Sequence, residues 1–261
     1  MRSSRSDIET RRSQLLKTLH DNSKVNIQQI AQELNVSPLT IRRDLEMLEK
    51  AEKISRFYGG ASLSNKEGED NNIFSSGYTL NKLAIASYAA SLVEDGDTIF
   101  INTSSTAAAI IPFIKAKYVT VITNNARALN SEKPNDMNLI FTGGEMRFPK
   151  EAMVGDFALN NLQTVTAGKC FLGCNGINAK EGLTTAVMLE ASINHLMLTR
   201  VMGPRYILAD KSKIGRKLNF IYGSIKEVTL LITDTEAPPH LVQELKDYID
   251  VYQVQPLAKL P

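Results

Sequence analysis

The sequence predicts an α/β protein in two parts: a small winged helix-turn-helix domain, then a larger domain with a parallel sheet covered by helices. Three observations predict it. Two capped amphipathic helices stand a tight turn apart near the N-terminus. A polar stretch, poor in apolar residues, follows them. Beyond it, short continuous apolar strands alternate with helical segments, which is the pattern of a parallel sheet buried on both faces. The expected boundaries are 1–63 for the first domain, 64–77 for a linker and 78–261 for the second domain.

In the first domain, Ile8 to about Asp21 reads as a helix with Leu15, Leu16 and Leu19 inward. Asn26 is the expected cap of a second helix from Ile27 to about Leu34, with Gln29 as its capping-box partner and Val25 stapled to Ile30. The third helix, V-S-P-L-T-I-R-R-D-L-E-M-L (36–48), is the most informative stretch of the chain. Ser37 suits the N-cap, because its hydroxyl accepts a hydrogen bond from a free backbone N–H, and Pro38 at the first helical position loses no bond. Ile41, Leu45 and Leu48 recur at helical spacing and form one inward stripe. Leu39, Arg42, Arg43, Glu46 and Lys50 then fall on the opposite face. Two short helices with such a turn are either an ordinary helical hairpin or a helix-turn-helix, whose second helix enters the DNA major groove. The cap, the staple and the outward arginines favour the second. Ser37, Pro38, Leu39, Thr40, Arg42 and Arg43 are therefore the candidate DNA contacts. Lys53 to Leu63 reads as a β-hairpin wing around Gly59-Gly60. Arg56 and Tyr58 are its candidates to lie along the sugar-phosphate backbone, the alternative being a hairpin that only closes the domain.

In the second domain, Tyr78 to about Val93 is an expected helix. Strands are expected at 97–101, 119–123, 138–142, 169–173, 205–209 and 227–233. Helices are expected after the first strand, near Ala126, over 187–202 and over 238–249, with an edge strand V-Y-Q-V at the end. Ligands of such sheets bind beyond the carboxyl ends of the strands. The first strand ends in Asn102-Thr103-Ser104-Ser105-Thr106 and runs into a helix, a run of small polar residues that suits a phosphate, although Ser/Thr loops also serve simply as caps. The other strand ends carry Asn124-Asn125, Gly143-Gly144, Asn175, and Asp210 with Lys213. Amides, glycines, an acid and a lysine at neighbouring strand ends suit a polyhydroxylated anion.

Composition sets bounds on the function. At 43% hydrophobic content the 261 residues can bury a sizeable core. No apolar run approaches a membrane span, and the N-terminal residues lack the apolar stretch of a signal peptide, so a cytoplasmic protein with no membrane partner is expected. Residues 1–60 hold 11 Lys/Arg against 8 Asp/Glu, a net of +3, while the remaining 201 hold 19 against 20, a net of −1. The basic excess therefore sits with the helix-turn-helix, as phosphate contact requires. It is modest, and reading repeated half-sites as a homo-oligomer, a dimer or tetramer, would compensate. Cys170 and Cys174 have no nearby His and read as buried thiols, so no metal site and no cofactor are expected. His20, His195 and His240 show neither triad nor metal spacing.

The stretch L-N-V-S-P-L-T-I-R-R-D-L-E-M-L-E-K, followed by I-S-R-F-Y-G-G-A, resembles the N-terminal domain of the DeoR family of bacterial transcriptional regulators. Arg42, Arg43 and Asp44 match the family's recognition helix, and Arg56, Gly59, Gly60 and Ala61 match its wing. The resemblance implies double-stranded operator DNA as partner. It also implies a second domain similar in fold to sugar-phosphate isomerases that senses a phosphorylated sugar or sugar acid, most often to relieve repression of a sugar-utilisation operon. The Asn102 to Thr106 loop is matched to the phosphate loop, which is usually S-G-T-T-like. Further matching segments are Gly143-Gly144, 171–177, E-G-L-T-T with Thr184 and Thr185, and 209–215. Asn175 stands where the family commonly has Asp, and Asn194 where Lys is common. The first departure removes a candidate general base, because an amide takes up no proton near neutral pH. The rival expectation is an isomerase-like enzyme carrying a DNA-binding module, with Glu181, Glu190 or Asp210 as its base. No catalytic residue is assigned, because a DNA-reading module gives ligand binding a use without turnover.

Overall fold

The computed structural model describes residues 11–16, 18–19, 24–34, 36–50, 54–57, 60–63, 80–148 and 150–258. The chain divides into two compact units, Met1–Asp70 and Asn71–Pro261. The expected linker at 64–77 lies outside the described residues, as do Tyr58, Gly59 and the side chain of Arg56.

In the first unit, α1 covers 11–16 and 18–19, α2 covers Ile27–Glu33 and α3 covers Pro38–Lys50. Leu15 and Leu19 of α1, Ile30 and Ala31 of α2, and Ile41, Leu45 and Leu48 of α3 close one apolar core. Asn26 caps α2 by accepting from the backbone of Gln28 and Gln29. The expected capping box is not its mechanism: the Gln29 amide turns forward and donates to Glu33 Oε1 at 3.0 Å. Ser37 caps α3, accepting from Thr40 N at 3.2 Å. Asp44 is 3% exposed and hooks α3 onto α1, with Arg11 Nε at 2.5 Å and Arg12 Nε at 3.1 Å. The wing strands β2 (Ile54–Phe57) and β3 (Gly60–Leu63) pair antiparallel as expected. A third strand, β1 (Lys24–Asn26), joins β3 and was not legible, because three residues offer no alternation to read.

The second unit opens with α4 (Leu80–Ala90). Seven parallel strands follow: β4 (Thr98–Ile101), β5 (Thr120–Thr123), β6 (Asn138–Phe141), β9 (Lys169–Gly173), β12 (Arg205–Leu208), β14 (Leu230–Asp234) and β15 (Asp250–Val254), in the order β15-β14-β12-β9-β4-β5-β6. From β4 the chain first adds strands on one side and later on the other, so the order reverses between β4 and β9. Side chains alternate between faces: Ile99 and Ile101 pack with Leu83, Ile85 and Ala89 of α4. Phe100 packs instead among residues of α6 (Asp156–Gln163), α7 (Met188–Thr199) and α8 (Pro239–Lys246). Both faces are therefore buried, which explains why these strands read as continuous apolar runs.

Several local expectations are revised. The helix after β4 is a single turn, α5 (Ser105–Ala108), followed by a 3-10 turn at Ile111–Phe113 around Pro112. The segment near Ala126 is also 3-10, over Ala126–Asn130. Two antiparallel additions were not foreseen: a hairpin of β7 (Glu145–Arg147) and β8 (Ala152–Val154), and a small sheet of β10 (Gly176–Asn178), β11 (Gly182–Thr185) and β13 (Phe220–Gly223). Among the described residues no helix is long and apolar enough to cross a membrane.

Removing the Asp44 charge leaves two arginines facing a buried position. With Arg12 partly exposed, Asp44→Asn is expected to lower the stability of the first unit by about 2–3 kcal/mol, discounted from the cost of breaking a fully buried pair. Urea unfolding of the full chain checks this, and an unchanged first transition would contradict it.

Candidate functional site

In the first unit, the outward face of α3 presents Pro38, Leu39, Arg42 and Arg43 to solvent, with Leu39 56% exposed. The hydroxyls of Ser37 and Thr40 lie 2.9 Å apart at the start of the helix. Two exposed arginines on one helix face, with an apolar side chain beside them, have the chemistry to meet base edges and phosphates.

The second unit carries a cavity of about 250 Å³ beyond the carboxyl ends of β4, β5, β9 and β12, at the point where the strand order reverses. It is lined by Asn102 to Thr106, Asn125, Asn175, Asp210 and Lys213, all expected from the strand ends. Its charged lining is Lys82, Arg127, Lys150 and Lys213 against Glu190 and Asp210, an excess of two positive charges. Such a lining favours an anion.

The residues at the rim do different work. Asn102 is 2% exposed, and its amide is committed to the protein. Its Nδ2 donates to Gly173 O at 2.9 Å and Asn194 Oδ1 at 3.0 Å. Its Oδ1 accepts from Gly173 N at 3.0 Å and Ser104 N at 3.3 Å. It therefore clamps β4 to β9 and shapes the loop, leaving Thr103, Ser104, Ser105 and Thr106 as the polar surface. Gly173 is required beneath that loop: a Cβ there would stand 1.9 Å from Ser104 Oγ. Asp210 Oδ1 accepts from Ser212 N at 2.9 Å and rigidifies the turn that carries Lys213. Asn175 Oδ1 accepts from Thr185 Oγ1 at 2.8 Å, which orients its amide.

Five expected residues do not line the cavity. Asn124 is fully buried and donates to Met153 O at 3.1 Å, fastening the β7–β8 hairpin. Thr184 is buried, donating to Gly176 O and accepting from Leu218 N. Thr185 stands behind Asn175. Gly143 and Gly144 both have positive φ, and a Cβ on Gly144 would meet Val154 O at 2.4 Å, so this glycine admits the protein's own hairpin rather than a ligand. Arg127 and Lys150 were missed. Arg127 sits two residues past Asn125, a weak signal at a strand end, whereas Lys150 arrives through a hairpin that the sequence did not announce. Lys82 was hidden on α4, which reads as a core helix.

Glu181 does not line the cavity and pairs with Lys217 at 2.7 Å, which holds its carboxyl below the usual range. His195 Nδ1 lies 2.9 Å from Tyr222 O, a structural contact. Cys174 lines the cavity and Cys170 lies in the core; burial pushes each thiol up to about 12. Both are free, and among the described residues no cluster of His, Cys, Asp and Glu could hold a metal ion.

Asn102→Ala would strip partners from Gly173 and Asn194 in a buried setting. It is expected to cost roughly 3 kcal/mol of stability in the second unit, the scale for leaving buried donors and acceptors unpaired. A second urea transition that does not move would refute the clamp.

Residues 11–67 match the DeoR-like helix-turn-helix domain, and residues 79–235 match the DeoR C terminal sensor domain. The HTH-type transcriptional regulator YulB of Bacillus subtilis is 33% identical, over 95% of this chain and 97% of that protein. The lactose phosphotransferase system repressor of Staphylococcus aureus is 30% identical, over 92% of this chain and 97% of that protein. Among solved structures, ribose 5-phosphate isomerase A of Methanocaldococcus jannaschii is similar at a TM-score of 0.35 and 18% identity, covering 51% of this chain and 52% of that one. On the two domain matches and the near full-length relatives, this chain belongs to the DeoR family of helix-turn-helix transcriptional regulators.

Proposed function

We propose that the protein is a cytoplasmic repressor of a sugar-utilisation operon, released or engaged by a phosphorylated sugar or sugar-acid effector. The observation that carries the effector is the cavity at the strand-order reversal, which Thr103 to Thr106 line together with four cationic and two carboxylate side chains. A relative named as a lactose phosphotransferase system repressor supports the sugar connection. The effector-contacting set is Thr103, Ser104, Ser105, Thr106, Asn125, Asn175 and Lys213, with Arg127 and Lys150 added. Asn102, Asp210 and Thr185 act as positioning residues behind them.

The chemistry supports binding without turnover. The two carboxylates at the cavity are engaged, Glu190 by Arg147 and Lys150 and Asp210 by a backbone N–H. Asn175 accepts a bond from Thr185 and offers no base. A homo-oligomer reading half-sites one helical turn apart supplies the affinity that a single small domain lacks. An effector that binds two arrangements of that oligomer unequally shifts operator affinity by the same difference.

Two experiments test this. Thermal unfolding against a panel of sugar phosphates, with unphosphorylated sugars as controls, should find one phosphorylated compound that adds about 2.7 kcal/mol at 100 times its Kd. No shift with any phosphate would remove the effector assignment and leave the DNA-binding half intact. On operator DNA, an arginine of α3 that reads a base should, as Arg→Ala, cost about 1–3 kcal/mol and relax specificity, whereas one that meets phosphate should reduce the salt slope by about 1. Arg42→Ala and Arg43→Ala that change neither quantity would refute the assigned face.

A further inference from the structure

The cavity already contains an anion of its own. Glu190 lies in the first turn of α7, is 2% exposed and lines the cavity. It is held by two cations from the β7–β8 hairpin: Arg147 Nη1 at 3.0 Å from Oε1, and Lys150 Nζ at 3.0 Å from Oε2. The two cations differ in one respect. Lys150 lines the cavity and its side chain is 41% exposed, whereas Arg147 does not line it. The hairpin that carries both is tied down independently, since Met153 N donates to Asn124 O at 2.8 Å and Ala126 N donates to Glu151 O at 3.0 Å. Lys150 can therefore change partner by rotating its own flexible stem. A phosphate entering beside Glu190 brings like charge against a buried carboxylate, and moving the exposed Lys150 towards the phosphate relieves that repulsion.

We propose that Glu190 is a resident competitor for the effector's anion: Lys150 is handed from Glu190 to the bound phosphate, while Arg147 stays behind and keeps Glu190 neutralised. This rests on the cavity being the phosphate site, as set out above. The exchange sets a threshold, because only a ligand with enough negative charge draws Lys150 away. It also makes the contacts of the hairpin with α7 differ between the empty and occupied states, which is the differential interaction a sensor requires.

The test uses the full chain, inorganic phosphate as the probe, and calorimetric titration. Glu190→Gln should bind phosphate about tenfold tighter than the wild type, because Lys150 is then released from its carboxylate partner and is available to the anion. Arg147→Gln, which alters a residue outside the cavity, should bind it at least about threefold more weakly, because Glu190 then keeps Lys150 for itself. In a Lys150→Gln background the gain from Glu190→Gln should fall to about twofold or less, since coupled residues are not additive. Glu190→Gln that binds phosphate no better than the wild type, with its unfolding transition intact, overturns the proposal. If Glu190→Gln does not fold, Arg147→Gln decides: unchanged phosphate affinity overturns it. Should the wild type bind neither inorganic phosphate nor any sugar phosphate, the assignment of the cavity itself fails, and this proposal falls with it.

Discussion

The second unit depends on one buried amide. Asn102 leaves the end of β4 and meets both backbone groups of Gly173 at the end of β9, the two strands between which the chain order reverses. Parallel strands on either side of a reversal send their connections in opposite directions, and a crevice opens between them. That crevice would be free to splay if nothing joined the strands past the last ladder bond. The amide is suited to the task because it carries both a donor and an acceptor, and a carboxylate in its place would lose half of the pairing. With the strands locked, Ser104 is seated directly over Gly173, and the hydroxyl loop keeps one shape.

Charge is then supplied by elements that differ in rigidity. Lys82 comes from a helix, Arg127 from a 3-10 turn and Lys213 from a turn braced by Asp210. Lys150 comes from a hairpin. Clustered like charges repel, and a buried carboxylate such as Glu190 offsets part of that repulsion while the cavity is empty. The same carboxylate would resist a bound anion. If the cavity takes the proposed anionic effector, Glu190 sets stability without ligand against affinity for it.

The first unit distributes three tasks around one helix. Ile41, Leu45 and Leu48 of α3 enter the core, Asp44 fastens the helix to α1 through Arg11 and Arg12, and Leu39, Arg42 and Arg43 remain outside. The ion pairs add a second, directional constraint on the helix to that of its packed apolar stripe. Asp44 lies beside the outward Arg42 and Arg43 in sequence, yet its contacts are with the protein's own Arg11 and Arg12.

Much of this was legible in the sequence, for local physical reasons. Caps, staples and the spacing of Ile41, Leu45 and Leu48 specify α3 without reference to the rest of the chain. Continuous apolar runs specify strands buried on both faces, and their polar ends mark the crevice beyond the sheet. What only the tertiary structure decided is which polar residue faces that crevice and which one faces its own backbone. Asn102, Asn124 and Thr184 all read as polar strand-end residues, and long-range partners at Gly173, Met153 and Leu218 separate them, while Asn175 is fixed by Thr185 ten residues on. The positive lining from Arg127 and Lys150 was likewise hidden, and Glu190, legible only as a candidate base, is instead held by Arg147 and Lys150. Lys150 and Glu190 meet across 40 residues of chain, and no local pattern of sequence encodes a contact between a hairpin turn and a distant helix.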